Sequence, residues 1–391
     1  MYYLGMSGQW MAMSMQQVVQ SFLVYELTGS AAILGTMALV TALPQLAMTL
    51  FGGAFADRFQ KKRMLQLGQA AAMLVSLVIV IALGTGYMSK EHAGSWWVLM
   101  VTSAATGIFN GLAMPARQAM IPELVEPERI MNAVSLNSLG QNAFSLIGPA
   151  IAGFLIDSVG FQIVYMIMIG FYLLAVVFTN FLPAFLSTRS GSRNPLLDIK
   201  DGFKYLQNNS VILTVIIFNL LCVFLAGPRM QLMPIFAKDI LKVGATGQGV
   251  IQSFTSVGSI IAALTYASLA PRNRGKYMLF SAIGLGLGVL VFAYNSSYML
   301  AIGLAVLMGI GQSGHMTMGT IITQSMTDKA YLGRVLSLLT MTQSLGSFGT
   351  FFVGVMAQQL GAPLSLGIFG ILLFLMGVAA TVFMPKVRRI N

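Results

Sequence analysis

Gly53-Ala-Phe-Ala-Asp57-Arg58-Phe-Gln-Lys61-Lys62-Arg63 puts five charges between two long apolar runs that carry none in their interiors. Four of those charges are Lys or Arg within six residues. Each costs at least ~3 kcal/mol at the centre of a hydrocarbon layer, so the stretch is aqueous and fixes the topology around it. Asp57 is the odd member. A loop that only sets topology needs bases and gains nothing from an acid, so Asp57 points to a task of its own.

The composition around this stretch is that of a polytopic membrane protein. Of 391 residues, 57% are hydrophobic and 8% charged, and the mean hydropathy is +0.80. An ordinary soluble domain carries about 25% charged residues. One span needs about 20 residues and its loop roughly ten more, so about twelve spans fit and no soluble catalytic domain has room. A net charge of +11 is the mark of cytoplasmic loops in such a protein, and no nucleic-acid partner is expected. Cys222 stands alone, which excludes an intramolecular disulfide and a cysteine metal cluster, and His92 and His315 are too few for a histidine cage. Neither a metal nor a cofactor is expected. The N-terminus, Met-Tyr-Tyr-Leu-Gly, has no basic region and does not read as a cleavable signal peptide.

The apolar runs predict spans over 4–25, 31–54, 64–86, 95–116, 131–156, 161–183, 211–233, 246–269, 277–294, 298–321, 335–358 and 364–384. All read as helices, because a spanning segment must satisfy its own backbone and none alternates like a barrel strand. The polar stretch 184–210 separates six spans in 1–183 from six in 211–391. With this assignment 18 of the 22 Lys and Arg fall on the side of Arg58 and four, Lys90, Arg229, Lys238 and Lys242, on the other. Both termini are therefore expected in the cytoplasm, with the chain in a bacterial inner membrane. A shift of 214 lays Leu34-Gly35 on Gln248-Gly249 and Asp57-Arg58 on Pro271-Arg272, and a shift near 202 lays Val134-Ser135 on Leu336-Ser337. These weak matches fall where two pseudo-symmetric six-helix bundles require, and the second copy lacks the acid.

Gly53-x-x-x-Asp57-Arg58-x-Gln60-Lys61-Lys62 resembles the signature between helices two and three of the major facilitator superfamily, with Gln60 where glycine is usual. Pro115-Ala-Arg117-Gln118-Ala-Met-Ile-Pro122-Glu123, Asn132-Ala-Val-Ser-Leu-Asn137-Ser and Tyr25-Glu26-Leu-Thr-Gly-Ser30 resemble the branch that holds the enterobactin exporter and related drug efflux proteins. Gly148-Pro149-x-x-Ala152-Gly153 is similar to the motif of drug/proton antiporters, with alanine at one usual glycine. The resemblance implies an all-α fold of twelve transmembrane helices in two bundles that rock to open a central cavity to one side at a time. It also implies monomeric function and a basic arm before the first helix, later than which this chain begins.

Within that frame, helices one, four, seven and ten line the cavity, and each carries polar residues that hydrocarbon penalises. Helix one offers Gln9, Gln16 and Gln20 on one face, helix four Asn110, helix seven Asn219, and helix ten Gln312 and His315. Each is either a substrate contact or an interhelical hydrogen bond. At the cytoplasmic face, Asp57 is expected to accept from amides near Leu332-Gly333-Arg334, and Arg117 to pair with Asp57 or Glu123; these contacts, with Arg58 beside them, form the candidate gate. The bland reading leaves Arg58, Lys61, Lys62 and Arg63 as topological anchors.

No carboxylate falls at mid-membrane. A proton antiporter needs a titrating group in the pathway, and the candidates are His315, Glu26 and Asp157. The same absence leaves a cationic drug no counter-charge, so a neutral amphipathic or anionic substrate is expected. The leading reading is a secondary transporter that exports a small amphipathic molecule, a drug, siderophore-like compound or other metabolite, using the proton gradient and partnered by lipid. The alternatives are a proton-independent facilitator, an importer or a lipid flippase. An enzyme is not expected, since no catalytic or nucleotide-binding motif is present.

Overall fold

A computed structural model describes the backbone of every residue except 1, 59, 93, 183–194, 269–272, 389 and 391. The side chains at 50–58, 118, 119, 122, 127, 195–199, 267 and 386 lie outside the description as well. The principal helices are α1 (Tyr2–Thr28), α2 (Ala31–Arg58), α3 (Lys61–Gly84), α4 (Trp97–Leu124), α5 (Ile130–Asn180), α6 (Pro195–Asn208), α7 (Ser210–Ala226), α8 (Gly244–Ser268), α9 (Arg274–Ala293), α10 (Tyr298–Met326), α11 (Leu332–Leu360) and α12 (Ala362–Phe383). No strand forms among the described residues.

Ten of these are long and apolar enough to cross a membrane; α1 has the length but is more polar. One of the ten, α5, runs for 51 residues and is broken at Gly160, whose φ of 81° and ψ of 167° only glycine adopts readily. That break lies between the spans expected at 131–156 and 161–183. After α7, Pro228 and Pro234 divide the chain into short turns, Pro228–Gln231 and Met233–Ile235, and a π turn at Phe236–Ile240, because proline supplies no amide to continue a helix.

The chain divides into two compact units. One comprises Met1–Gly29, Val40–Pro195 and Gly244–Gly249, the other Ser30–Leu39, Leu196–Val243 and Val250–Asn391. Each thus holds most of one half of the sequence and the opening turns of a helix that continues in the other.

In the first unit α1 lies along α5, and α3 packs on both α4 and α5. Apolar burial does not draw helices together in lipid, so close approach of small residues matters more. A Cβ on Gly153 would stand 2.2 Å from the Ala245 carbonyl oxygen, and one on Gly249 2.1 Å from that of Pro149. The Gly148-Pro149-x-x-Ala152-Gly153 segment is therefore a contact face for residues 244–249. Gly148 meets α1 as well, where its Cβ would fall 2.0 Å from Ser14 Oγ.

In the second unit α9 packs against α10 and α12, and α7 against α11. Its borrowed turns are held in the same way: a Cβ on Gly354 would lie 2.7 Å from the Ala31 carbonyl oxygen and 2.8 Å from Gly35 Cα. Gly35 and Gly249, which the 214-residue shift superposes, do equivalent work. The stretch read as a polar connection contains α6, and α6 is docked. Tyr205 stacks on Tyr331 at 4.5 Å, its hydroxyl donates to Asp328 Oδ2 at 3.1 Å, and Asp201 lies 3.7 Å from Arg334.

The Gly153 contact makes a testable demand. Gly153→Val should lower the thermal unfolding temperature of the detergent-purified protein, as overpacking typically costs ~1–3 kcal/mol. Gly170→Val, where a Cβ meets nothing within 4 Å, should leave it unchanged, as read by fluorescence-detected size exclusion after heating.

Candidate functional site

The first unit gathers the amides of α1. Gln69 Nε2 on α3 donates to Gln9 Oε1 at 3.1 Å, the Tyr172 hydroxyl on α5 donates to Gln16 Oε1 at 3.0 Å, and Gln20 Nε2 donates to Ser103 Oγ on α4 at 2.7 Å. One face of α1 is thus bonded to three different helices, which is the interhelical reading of these residues. Gln16 and Asn110, with Gln9, Met13, Thr106 and Tyr172, also border a cleft with room for about one water. Tyr172 and Gln69 complete this network and were not singled out from sequence; only their polarity inside apolar runs marked them.

At one end of the same unit Lys61 and Glu123 form an ion pair joining α3 to α4. Lys62 Nζ donates to the Asn180 and Leu182 carbonyls at 2.6 and 2.8 Å, capping the end of α5 where a cation is favoured. Lys61 and Lys62 therefore have specific structural partners in addition to any topological role. Arg117 is half-buried, with Nη1 3.7 Å from Met13 Sδ and the Tyr2 phenol in electrostatic reach. Glu123 is thus joined to Lys61, and its Oε2 has no partner among the described residues. The contacts expected of Asp57 and Arg58 lie outside the described residues. Gly333 is exposed in the first turn of α11, and Arg334 reaches Asp201 and lies 5.4 Å over the Tyr331 ring.

The remaining acids of interest are engaged. Glu26 pairs with the exposed Lys90. Asp157 Oδ1 accepts from the Ala245 amide at 3.3 Å, and its Oδ2 accepts from the Thr246 amide at 2.8 Å and the Thr246 hydroxyl at 2.6 Å. A carboxylate at the first amides of α8 is favoured both by those orphan donors and by the helix dipole.

The second unit holds a buried polar cluster on α7, α10 and the turn between α7 and α8. Asn219 Nδ2 donates to the Val215 carbonyl at 3.1 Å, which turns its Oδ1 toward His315 Nδ1 at 3.2 Å. With Asn219 Oδ1 as the acceptor, His315 Nδ1 is the donor of this bond. His315 is fully buried, and its Nε2 has no partner among the described residues. One turn along α10, Gln312 Oε1 accepts from Arg229 Nη1 at 3.1 Å, and the same nitrogen donates to the Ala226 carbonyl at 2.9 Å. Arg229 is only 2% exposed. The sequence count put it among the four basic residues on the outer side; the structure buries it beside two expected cavity residues. Its position inside the predicted 211–233 span was the signal.

Known proteins bear out the fold. The profile of a family described as transmembrane secretion effector matches residues 4–390. The multidrug efflux pump Tap of Mycolicibacterium fortuitum is 25% identical over 95% of this chain and 91% of its own length. The enterobactin exporter EntS of Escherichia coli is 24% identical over 93% of this chain and 83% of its own. A solved variant of the peptide transporter POT superposes with a TM-score of 0.81 over all of this chain and 95% of its own, at 13% identity, a likeness of fold alone.

The Asp157 contact predicts a local effect. Asp157→Ala should speed hydrogen exchange in the segment 244–249 by about tenfold, the equivalent of one or two lost hydrogen bonds, while Asp157→Asn, which keeps an acceptor, changes it less. Exchange followed by mass spectrometry on the peptide covering this segment checks it.

Proposed function

Because this chain belongs to the transmembrane secretion effector family of major facilitator transporters, we propose that it exports a small amphipathic molecule by alternating access, driven by proton antiport. As a multi-pass membrane protein of this family it takes a small-molecule substrate and sits in lipid. The inner membrane of a bacterium, cytoplasmic termini and a monomeric state complete the reading, supported by the 18-to-4 division of basic residues and by the bacterial source of the relatives. The names of Tap and EntS support outward transport of a drug-like or siderophore-like molecule.

The observation that carries the proposal is the Asn219–His315 and Gln312–Arg229 cluster. Polar and ionisable groups inside spanning helices are expensive, and function is the usual reason they are kept. In this reading Asn219, Gln312 and His315, with Gln16, Gln20 and Asn110, contact substrate, and His315 carries the coupled proton. Asp57, Arg58, Arg117, Glu123, Gly333 and Arg334 bias the closing of the cytoplasmic side. Gly148, Pro149 and Gly153 keep one helix contact close throughout the cycle.

A second reading, a proton-independent facilitator, is favoured by the engagement of Glu26 with Lys90 and of Asp157 with the start of α8. Proteoliposomes carrying a pH gradient of either sign separate the two. Antiport predicts gradient-driven accumulation of an amphiphile, reduced at least ~10-fold in His315→Ala, the scale expected for losing a proton-transfer group. Transport that ignores the gradient in the unaltered protein would sink proton coupling and leave the facilitator.

A further inference from the structure

Arg229 carries a charge with no acid paired to it among the described residues. A guanidinium stays protonated under all ordinary conditions, so burial cannot neutralise it. Its bonds go to two uncharged oxygens, on Ala226 and Gln312, and both leave from Nη1. No carboxylate among the described residues forms an ion pair with it. A buried charge is normally paired, and an unpaired one is strongly unfavourable. Neither bond involves Nε or Nη2, and these two are not among the fully enclosed side-chain atoms that lack a partner, so they keep a small exposed surface. They form one edge of the planar fork that carboxylate, sulfonate and phosphate groups match bidentately. His315, three residues from Gln312 on the same face of α10, adds a buried ring nitrogen with no partner among the described residues.

We propose that Arg229 is the anchor of an anion site in the second unit, and that it takes the acidic head of an amphipathic molecule, with Gln312 holding the guanidinium in place and His315 Nε2 facing the remainder of the ligand. The exporter reading enters at one point only, in taking that anion to be the transported molecule. The bond to Ala226 alone would make Arg229 a helix cap; that role needs neither burial nor a second acceptor on α10. The site commits the substrate class. An aromatic or aliphatic acid belongs in it, its uncharged amide does not, and a quaternary ammonium is repelled.

The test is binding to the purified protein in detergent, with no gradient and no transport step, so its failure is distinct from failure of the exporter reading. The probes are 2-naphthoate, its neutral counterpart 2-naphthamide, and inorganic phosphate, each followed by thermal shift and by isothermal titration. Naphthoate should bind and raise the unfolding temperature, with affinity reduced at least ~10-fold in Arg229→Gln and by a smaller but measurable factor in Arg229→Lys, which keeps the charge and loses the bidentate fork. Naphthamide should show no such dependence. Variants are compared only as single symmetric peaks on size exclusion, and Arg229→Lys keeps the test open if the glutamine variant fails that condition. The proposal is overturned if naphthoate does not bind the unaltered protein, or if it binds Arg229→Gln equally well. It is also overturned if phosphate alone gives the same shift at the same concentration, which would mark an inorganic-anion site without an amphiphile.

Discussion

A helix in hydrocarbon gains nothing by covering its leucines with another helix, because the lipid tails are just as apolar. What remains is close van der Waals approach and polar bonding, and the described contacts divide between the two. Gly153 and Gly249 bring the first turns of α8 to within backbone contact of α5, and Asp157 fastens the same turns through the Ala245 and Thr246 amides. In the second unit Gly35 and Gly354 bring the first turns of α2 against α11, and Ser30 Oγ donates to Gln358 Oε1 at 2.9 Å beside them. In both cases a helix begins in one unit and continues in the other, held at its start by small residues and a short polar clasp. Substituting bulk for glycine at such a point cannot be absorbed by a side-chain rotation, since the opposing atoms are backbone.

How much of this could be read from the chain follows from which forces have a sequence signature. Hydrophobic length does, so the spans are legible, down to the break at Gly160 between two runs that helix geometry would otherwise join. The half-to-half repeat is legible where it rests on glycine, because Gly35 and Gly249 answer to the same steric constraint. The burial of Arg229 is not legible locally, because basic residues near a span end are ordinarily exposed, and one of its two acceptors, Gln312, lies on a distant helix. The docking of α6 was missed for the same reason: its hydrophobic and polar residues mark an amphipathic helix, but the Tyr205 and Asp201 partners lie over a hundred residues away. Lys61 and Lys62 read as topological, and nothing local distinguishes a lysine facing solvent from one that caps α5.

The three groups considered for proton coupling differ in what protonation would do. Glu26 pairs with Lys90, whose side chain is 62% exposed, and an exposed pair of this kind contributes only ~0–1 kcal/mol. Asp157 holds the start of α8, so a proton there would loosen a contact that positions a whole helix. His315 is joined to Asn219 by one bond, and its other nitrogen has no partner among the described residues. A proton at Asp157 would thus undo a helix contact, whereas His315 is bonded to Asn219 through one ring nitrogen only.

The two units bury different kinds of polar group. In the first, Gln9, Gln16 and Gln20 each end on a protein partner, and their bonds run to α3, α5 and α4 in turn. In the second, both bonds of the buried Arg229 leave from Nη1, and His315 Nε2 is buried with no partner among the described residues. Polar bonds between spanning helices contribute on average under ~1 kcal/mol each, too little to account for keeping an unpaired guanidinium. A group whose burial is unfavourable in the free protein and favourable with an anion beside it gains most of its interaction when the ligand arrives. Binding energy of that kind depends on the state of the site, and a transporter can convert a state-dependent affinity into movement only if the anchor itself is exposed to the two sides in turn.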